Sequence, residues 1–330
     1  MLAPPLRWGL LGTARINRSV IPAIRASARS QLVGVASRSA ERAALYAGEW
    51  QIPVPYASYD AMLADPQIDA VYIPLPNHLH VDWTLNAIAA GKHVLCEKPL
   101  ALQTTDVDRI ADGARRAGVV VAEAFMYRHH PLTLRVAAMV NDGQIGRLRG
   151  VRGAFTFTLA RSADVRLVPE WGGGSLWDVG CYPVSYARLL AGEPTAVSAQ
   201  ALRHHTGIDM ATAGTLLFSD DVIGVFDCGF GAHFRTFVEI SGTDGVLTLD
   251  TPFKPGAEAS LRLAKGDDTQ TIVVPGEPLY LGEVQDLESA VFDGRPTRVS
   301  LDDSRGNIAT LVALHEAART GHVVALADIG

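Results

Sequence analysis

Leu6-Arg7-Trp8-Gly9-Leu10-Leu11-Gly12-Thr13-Ala14-Arg15-Ile16 reads as a strand that ends in a phosphate-binding turn. The dinucleotide fingerprint for such a turn is G-x-G-x-x-G, set between the first strand and the first helix. Its first glycine makes the tight turn and its second lets the backbone approach a pyrophosphate. Here the register is Gly12-Thr13-Ala14-Arg15-Ile16-Asn17, so only the first glycine is kept. Ala14 adds one methyl group, and Asn17 stands where a third glycine is expected. Gly12, Thr13, Ala14, Arg15 and Ile16 are the candidate cofactor contacts of this turn.

Working outward, short apolar runs alternate with helical patterns for roughly the first 125 residues. Trp8 to Leu11 precedes a helix over Ile16 to Ala26, and Leu32 to Ala36 precedes one over Ala40 to Glu49. Ala70 to Ile73 leads to His80 to Ala90, closed by Gly91. His93 to Cys96 leads to Thr105 to Ala117, stopped by Gly118, and Val119 to Ala122 follows. Continuous apolar strands separated by helices indicate parallel βαβ units in a doubly wound sheet.

After Pro131 the texture changes. A helix over Thr133 to Val140, a long strand over Leu148 to Leu159 and a helix over Trp177 to Leu190 come first. Strand candidates then crowd together at Ala196 to Arg203, Thr212 to Phe218, Val222 to Phe230, Thr236 to Ile240 and Val246 to Leu249. Ser219-Asp220-Asp221 and Gly242-Thr243-Asp244-Gly245 sit where hairpin turns belong. Helices over Glu283 to Phe292 and Asp303 to Arg319 close the chain. The fold class is α/β: a Rossmann domain over 1–124, then an α+β domain over 125–330. The second domain carries a mostly antiparallel sheet of roughly five or six strands.

The 330 residues suit two domains, and 48% hydrophobic against 19% charged residues exclude a disordered chain. A net charge of −6 with no long basic run argues against nucleic acid as a partner. Cys96, Cys181 and Cys228 are odd in number and widely spaced, which fits a reducing compartment. Only Met1 to Pro5 precede the first strand, and no apolar run has the length of a membrane span. A soluble, cytoplasmic protein is expected.

Three further places carry chemistry. After the second strand a NAD-specific site has Asp or Glu for the ribose hydroxyls. This chain offers Ser37, Arg38 and Arg42 instead, a hydroxyl and two guanidiniums suited to a 2′-phosphate. The expected cofactor is therefore NADP, with NAD second; Ser39 is also a natural helix N-cap. Glu97-Lys98-Pro99 and, about eighty residues later, Asp178-Val179-Gly180-Cys181-Tyr182 supply an ammonium and a phenol. Oxidising a hydroxyl by hydride loss requires removing its proton. A free tyrosine titrates near ~10, so activation at neutral pH needs about three units, on the order of 4 kcal/mol. A nearby ammonium supplies part of that by favouring the phenolate. Lys98, Tyr182 and Asp178 are the catalytic candidates. On an α-helix, Asp178 and Tyr182 would share a face; Asp178 also suits a helix N-terminal cap. Met126, Phe155, Phe157 and Phe230 are candidates for a substrate pocket or, equally, for the core. His78 and His80 are spaced H-x-H, but no further ligand falls at metal spacing, so no metal is expected. His129-His130 and His204-His205 read as surface or loop residues.

With these residues in place the chain resembles the Gfo/Idh/MocA family over nearly its whole length. The likeness rests on Trp8 to Ala14 and on Tyr72-Ile73-Pro74-Leu75-Pro76-Asn77-His78-Leu79-His80. It extends through Ala90-Gly91-Lys92-His93-Val94-Leu95-Cys96-Glu97-Lys98-Pro99, Glu123-Ala124-Phe125-Met126-Tyr127-Arg128 and Gly172 to Tyr182. Tyr182 stands where one branch of the family has histidine. That resembles the tyrosine-type branch of glucose–fructose oxidoreductase, dimeric dihydrodiol dehydrogenase and NADP-dependent xylose dehydrogenase relatives. The resemblance implies that Leu75, Pro76, Glu97, Lys98 and Trp171 contact the cofactor and that Asn77 and His80 line the nicotinamide ribose. It also implies a substrate side of Met126, Phe157, Asp178 and Tyr182. The activity it implies is an NADP-preferring dehydrogenase on CH–OH groups, taking an aldose to a lactone or acting on a cyclic polyol. The alternatives are a trans-dihydrodiol dehydrogenase and, in another class, a non-catalytic NADP-binding regulator. A homodimer or dimer of dimers is implied as well.

Overall fold

Strands with apolar residues on both faces must be covered on both faces, and helices between parallel strands do this. In the computed structural model, which describes residues 4–160 and 163–329, the chain divides into two compact units. The first unit takes the chain up to Ala101, Thr105–His129 and Tyr280–Ser304. The second takes Leu102–Thr104, His130–Leu279 and the chain from Arg305 onward.

The first unit opens with β1 (Leu6–Leu11), α1 (Asn17–Ala26), β2 (Ser30–Ala36), α2 (Ala40–Trp50), β3 (Val54–Tyr56) and α3 (Tyr59–Leu63). It continues with β4 (Ala70–Ile73), α4 (His80–Ala89), β5 (His93–Glu97), α5 (Thr104–Ala117) and β6 (Val121–Ala124). Six parallel strands lie in the order β3-β2-β1-β4-β5-β6. The order reverses between β1 and β4, which makes a crevice at their carboxyl ends, the usual ligand position of such sheets.

A single cut after residue 124 misses how this unit is completed. The helix Leu281–Asp293 belongs to it, because Val284 and Leu287 are fully buried in the same core as Leu6, Trp8, Leu10, Val20, Ile21, Ile24 and Tyr72. Each such side chain contributes about 1.5–3 kcal/mol by leaving water. Glu288 on that helix accepts from Ser27 Oγ at 2.9 Å and from Ser30 Oγ, and Arg29 pairs with Asp293 at 2.9 Å.

The second unit holds α6 (Pro131–Asn141), β7 (Leu148–Thr158), α7 (Cys181–Ala191), β8 (Ala196–Arg203), β9 (Asp209–Leu217), β10 (Ile223–Gly229) and β11 (Gly231–Gly242). Then come β12 (Val246–Leu249), β13 (Glu258–Lys265) and β14 (Asp268–Pro275). With α8 the helix Leu281–Asp293 already described, α9 (Leu301–Thr320) and β15 (Val324–Ala325) close the chain. The sheet has nine strands, in the order β14-β13-β12-β11-β7-β10-β9-β8-β15. Only β7 with β10 is a parallel pair; the other neighbours are antiparallel.

Nine strands correct the expected five or six. The additional strands include β13, β14 and the two-residue β15. Within Asp268–Pro275 only Val274 is buried, so β14 lacks the apolar alternation that marks a strand. The sixth strand of the first sheet also lies two residues later than its apolar run suggested. Val119 N–H is taken by Ala114 carbonyl in the turn after α5, and Val120 N–H by the His93 side chain of β5 rather than by strand backbone.

Candidate active site

In the first unit the fingerprint turn behaves as a cradle that admits no side chain at its first position. Gly12 has φ of +122°, and a Cβ there would lie 3.2 Å from Leu75 Cδ2. Only glycine takes that conformation without strain. Asn17, at the third fingerprint position, is fully buried and donates from Nδ2 to Gly12 carbonyl at 2.9 Å. The amide thus ties the start of α1 to the turn. Thr13, Ala14 and Ile16 are half-buried and Arg15 is exposed, on a turn that feeds a helix N-terminus suited to phosphate.

At the end of β2, Ser37 is buried; its N–H donates to Tyr56 carbonyl and its Oγ accepts from Ser39 N–H. Ser39 caps α2 by accepting from Arg42 N–H at 3.2 Å. Arg38 and Arg42 are exposed, and neither has an ion-pair partner among the described residues. Two guanidiniums without a carboxylate fit an anionic group on a ligand. Tyr59 completes this corner. Burial raises its pKa, and the charges of Arg38 and Arg42 oppose that rise. Its Oη would lie 3.8 Å from a Cβ at Gly12.

The loops after β4 and β5 are joined by one side chain. His80, 1% exposed, has Nδ1 at 2.7 Å from Pro99 carbonyl and Nε2 at 2.7 Å from Leu75 carbonyl. Burial pushes its pKa down to about 4; bonds to the two carbonyls pull upward, and the Lys98 charge pushes it down further. With both nitrogens occupied by backbone, His80 sets the loop that carries Leu75, Pro76 and Asn77. Next to it, Glu97 accepts from Tyr72 Oη at 2.5 Å, and buried Glu123 accepts from Leu100 N–H at 2.9 Å. These bonds bracket Lys98, which is half-buried and followed by a cis peptide bond to Pro99.

In the second unit Asp178 and Tyr182 do not share an uninterrupted α-helix. Leu176–Gly180 is a π turn and α7 begins at Cys181. Such widened turns recur at functional sites. Ser175 holds the N-cap position of the π turn. Asp178 instead pairs with Arg166 Nε at 2.5 Å, and Arg166 Nη1 reaches Asp164 at 3.1 Å. Burial lowers the Arg166 pKa, but Asp178 and Asp164 outweigh it and raise it. The start of the turn is pinned by Asp209 on β9. Its buried carboxylate accepts from Ser175 Oγ at 2.7 Å, Leu176 N–H at 2.7 Å and Thr212 Oγ1 at 2.9 Å. Gly174, with φ of +122°, makes room for it: a Cβ there would sit 2.1 Å from Asp209 Oδ1.

Tyr182 is 5% exposed, its ring 5.3 Å from Phe155 and 5.5 Å from Phe253 between centroids. Phe155 and Phe253 stack at 5.6 Å, so the phenol ring is held by an aromatic cluster. Phe157 packs on Phe230 at 5.2 Å, and the Arg166 guanidinium lies 5.9 Å from its ring centre. Trp171 is 40% exposed in the preceding loop. Met126 is only 3% exposed in the first unit, placed as a core residue like Phe155 and Phe230. Of the histidines expected at the surface or in loops, His129 and His130 have side chains turned inward from the segment before α6. His130 is 2% exposed and caps α6 by accepting from Leu132 N–H, and His129 Nε2 contacts Asp286 at 3.2 Å. Arg166, Asp209, Tyr59, Phe253 and Glu123 are missed by sequence reasoning, since only their partners in space distinguish them.

Among the described residues no group of three or more His, Cys, Asp or Glu could hold a metal ion, and no helix is long and apolar enough to cross a membrane. Residues 6–125 match the oxidoreductase family with an NAD-binding Rossmann fold, Gfo/Idh/MocA, and residues 133–248 match the Gfo/Idh/MocA C-terminal domain. The chain is 39% identical over 326 residues to D-xylose 1-dehydrogenase (NADP(+)) 2 of Haloferax volcanii, covering 97% of this chain and 100% of that protein. A crystal structure of a 3-ketoreductase from Actinomadura kijaniata in complex with NADP and TDP-benzene superimposes with a TM-score of 0.90 at 30% identity, over 95% of this chain and 98% of that one. Aldose-aldose oxidoreductase from Caulobacter crescentus, complexed with glycerol, gives 0.91 at 26% identity, over 97% and 99%.

Proposed function

The chain belongs to the Gfo/Idh/MocA oxidoreductase family, and from that premise we propose that it is an NADP-preferring dehydrogenase taking an aldose to its lactone. The observation that carries the reading is Tyr182, whose ring is locked by Phe155 and Phe253 on the helix that follows a π turn whose start Asp209 pins. A proton acceptor needs this kind of fixed placement.

The residues present fit the cofactor. Gly12 leaves the space a phosphate approach requires, and Arg38 with Arg42 supplies uncompensated positive charge for a 2′-phosphate. Ser37 and the loop Leu75-Pro76-Asn77 are assigned to the same ligand, as are Glu97, Lys98 and Trp171. When bound, the nicotinamide supplies the hydride acceptor. Tyr182, acting as the phenolate, takes the hydroxyl proton of the sugar as C1 gives up its hydride, and the Lys98 ammonium stabilises negative charge on oxygen. Asp178, held by Arg166, orients a neighbouring sugar hydroxyl. Phe157 and Tyr182 offer the apolar face on which a pyranose ring rests.

The second unit also supports self-association. α7 packs on β7 and β10 from one side. On the sheet, Ile223 and Val225 of β10 and Leu217 of β9 are exposed. A homodimer or dimer of dimers that covers this face is the expected state, checked by light scattering at micromolar concentration.

A panel of aldoses, polyols and dihydrodiols, with NADP or NAD and read by absorbance of the reduced cofactor, tests the function. The expected result is aldose oxidation with NADP ahead of NAD. Turnover of dihydrodiols alone would move the assignment to the diol branch, and no turnover of any of them would sink it.

A further inference from the structure

β11 departs from the regular ladder near its start. Gly231 pairs with Thr158 and Arg235 with Thr156 of β7, so Ala232, His233 and Phe234 stand opposite Phe157 alone. The bulge is fastened to β7: Thr156 Oγ1 donates to His233 carbonyl and Thr158 Oγ1 to Ala232 carbonyl, both at 2.9 Å. Bulges bend a strand and re-aim a side chain, often beside an active site. Here the bulge presents Phe234, which is 51% exposed and meets the Phe155 ring edge-on, 6.1 Å between centroids. Phe155 is buried and also packs on Tyr182 and Phe253. The aromatic cluster that holds Tyr182 thus reaches water at Phe234, and all of these residues belong to the second unit.

We infer that Phe234 is a specificity-determining residue, the outer wall of the substrate side, whose ring takes the C–H face of a ring-closed sugar. This rests on the reading of Asp178 and Tyr182 as that side. Two observations place Phe234 there. Through Phe155 it is one ring removed from Tyr182. By register its bulge stands opposite Phe157, whose ring centre lies 5.9 Å from the guanidinium that pairs with Asp178. An exposed phenyl gains by leaving water, and the negative face of its π system attracts polarised C–H bonds. A pyranose chair with equatorial hydroxyls offers such a face, with axial C–H bonds side by side and hydroxyls at the rim. An open-chain polyol carries hydroxyls on every side, so lying on a phenyl ring would strip some of them of water and freeze several rotors. The bulge is already fixed by two threonines, so Phe234 loses little freedom on binding. The class selected is the cyclic aldose over the acyclic polyol of the same carbon count.

The test measures binding of D-xylose, D-glucose and xylitol by calorimetry on enzyme saturated with NADPH, which cannot take up a hydride. Turnover of the two aldoses with NADP is read separately by absorbance. Wild type, Phe234→Ala, Phe234→Leu and Phe234→Trp are compared, with melting temperature as the check on folding and light scattering as the check on assembly. Expected are both aldoses bound more tightly than xylitol by wild type, and aldose affinity lowered roughly three- to thirtyfold in Phe234→Ala. Xylitol affinity should hardly move, Phe234→Trp should keep aldose binding, and the Michaelis constant should rise by more than turnover at saturation falls. Should Phe234→Ala not fold, Phe234→Leu carries the same comparison, since it keeps the bulk and loses the π face. Unchanged aldose affinity in the folded variant overturns the inference, as does a loss of assembly with aldose affinity kept, which would make Phe234 a contact between copies. Equal losses for aldose and xylitol, or no aldose bound at all, overturn the substrate class. Phe234-dependent aldose binding without reduction of NADP would instead leave the inference standing and remove the proposed chemistry.

Discussion

The end of β2 and the start of α7 handle charge in opposite ways. At the first, Arg38 and Arg42 stand exposed with no ion-pair partner among the described residues. At the second, Asp178 is matched with Arg166, Asp209 takes three donors, and Tyr182 is packed among aromatic rings. Charge kept in water costs little to hold unpaired and attracts a diffusible anion, whereas buried charge must be satisfied before any ligand arrives. On the proposed reading, cofactor choice rests on side chains that the fold does not need, and the chemistry on side chains that the fold has already fixed.

The sharpest way to break that comparison is at Tyr182. Tyr182→Phe removes one hydroxyl and keeps the ring between Phe155 and Phe253. Turnover should fall by roughly two to four decades, with NADP affinity and melting temperature close to wild type. Near-full turnover, with a deuterium effect showing that hydride transfer limits the rate, would remove Tyr182 as the base.

Asp209→Ala tests whether the fixed side is also a stability element. It strands Ser175 Oγ, Leu176 N–H and Thr212 Oγ1, all donors to the buried carboxylate. Each unpaired buried donor costs about 1–3 kcal/mol, so melting temperature and turnover should fall together. A drop in turnover with unchanged melting would show that the pin is not structural.

Arg38→Ala should do the reverse: no change in melting, and a Michaelis constant for NADP raised roughly tenfold while that for NAD stays put. Because the charge is exposed, the difference should shrink as salt is added. Equal effects on the two cofactors would mean that Arg38 does not read the 2′-phosphate.

The two regions also differ in how far they were legible. Gly12, the βα alternation and the arginines after β2 announce themselves locally, because turn, helix and ligand-binding residues are neighbours in sequence. Local motifs likewise pointed to Lys98, Asp178 and Tyr182. Their supports were hidden. Asp209 lies 34 positions from Ser175, and Glu288, which ties α8 to the first core, lies 261 positions from Ser27. No period in hydrophobicity encodes such pairs. The π turn was invisible for a related reason: it depends on the room left beside Gly174 and Asp209, and the string Leu176 to Gly180 reads as ordinary helix. β14 escaped because an edge strand buries almost nothing.

Glu283 gives the smallest effect and the finest test, since it is buried but not satisfied. It sits 1% exposed on α8, and neither carboxyl oxygen has a hydrogen-bond partner among the described residues. Burial first and the charge of Glu97 second push its pKa well above the carboxylate range, so folding favours the neutral acid. The sign follows from linkage. Below the unfolded value near ~4.3 both states are protonated and nothing is lost. As pH rises above it the unfolded chain ionises and the folded one does not, so stability declines until the raised folded pKa is passed. Glu283→Gln removes that titration. Melting near pH 4 should match wild type, while at pH 8 the variant should melt higher by a few degrees, on the order of 3–6 °C. A variant that melts lower at both values would mean that the carboxyl proton makes a bond that glutamine cannot replace, and Glu283 would not be an unsatisfied buried group.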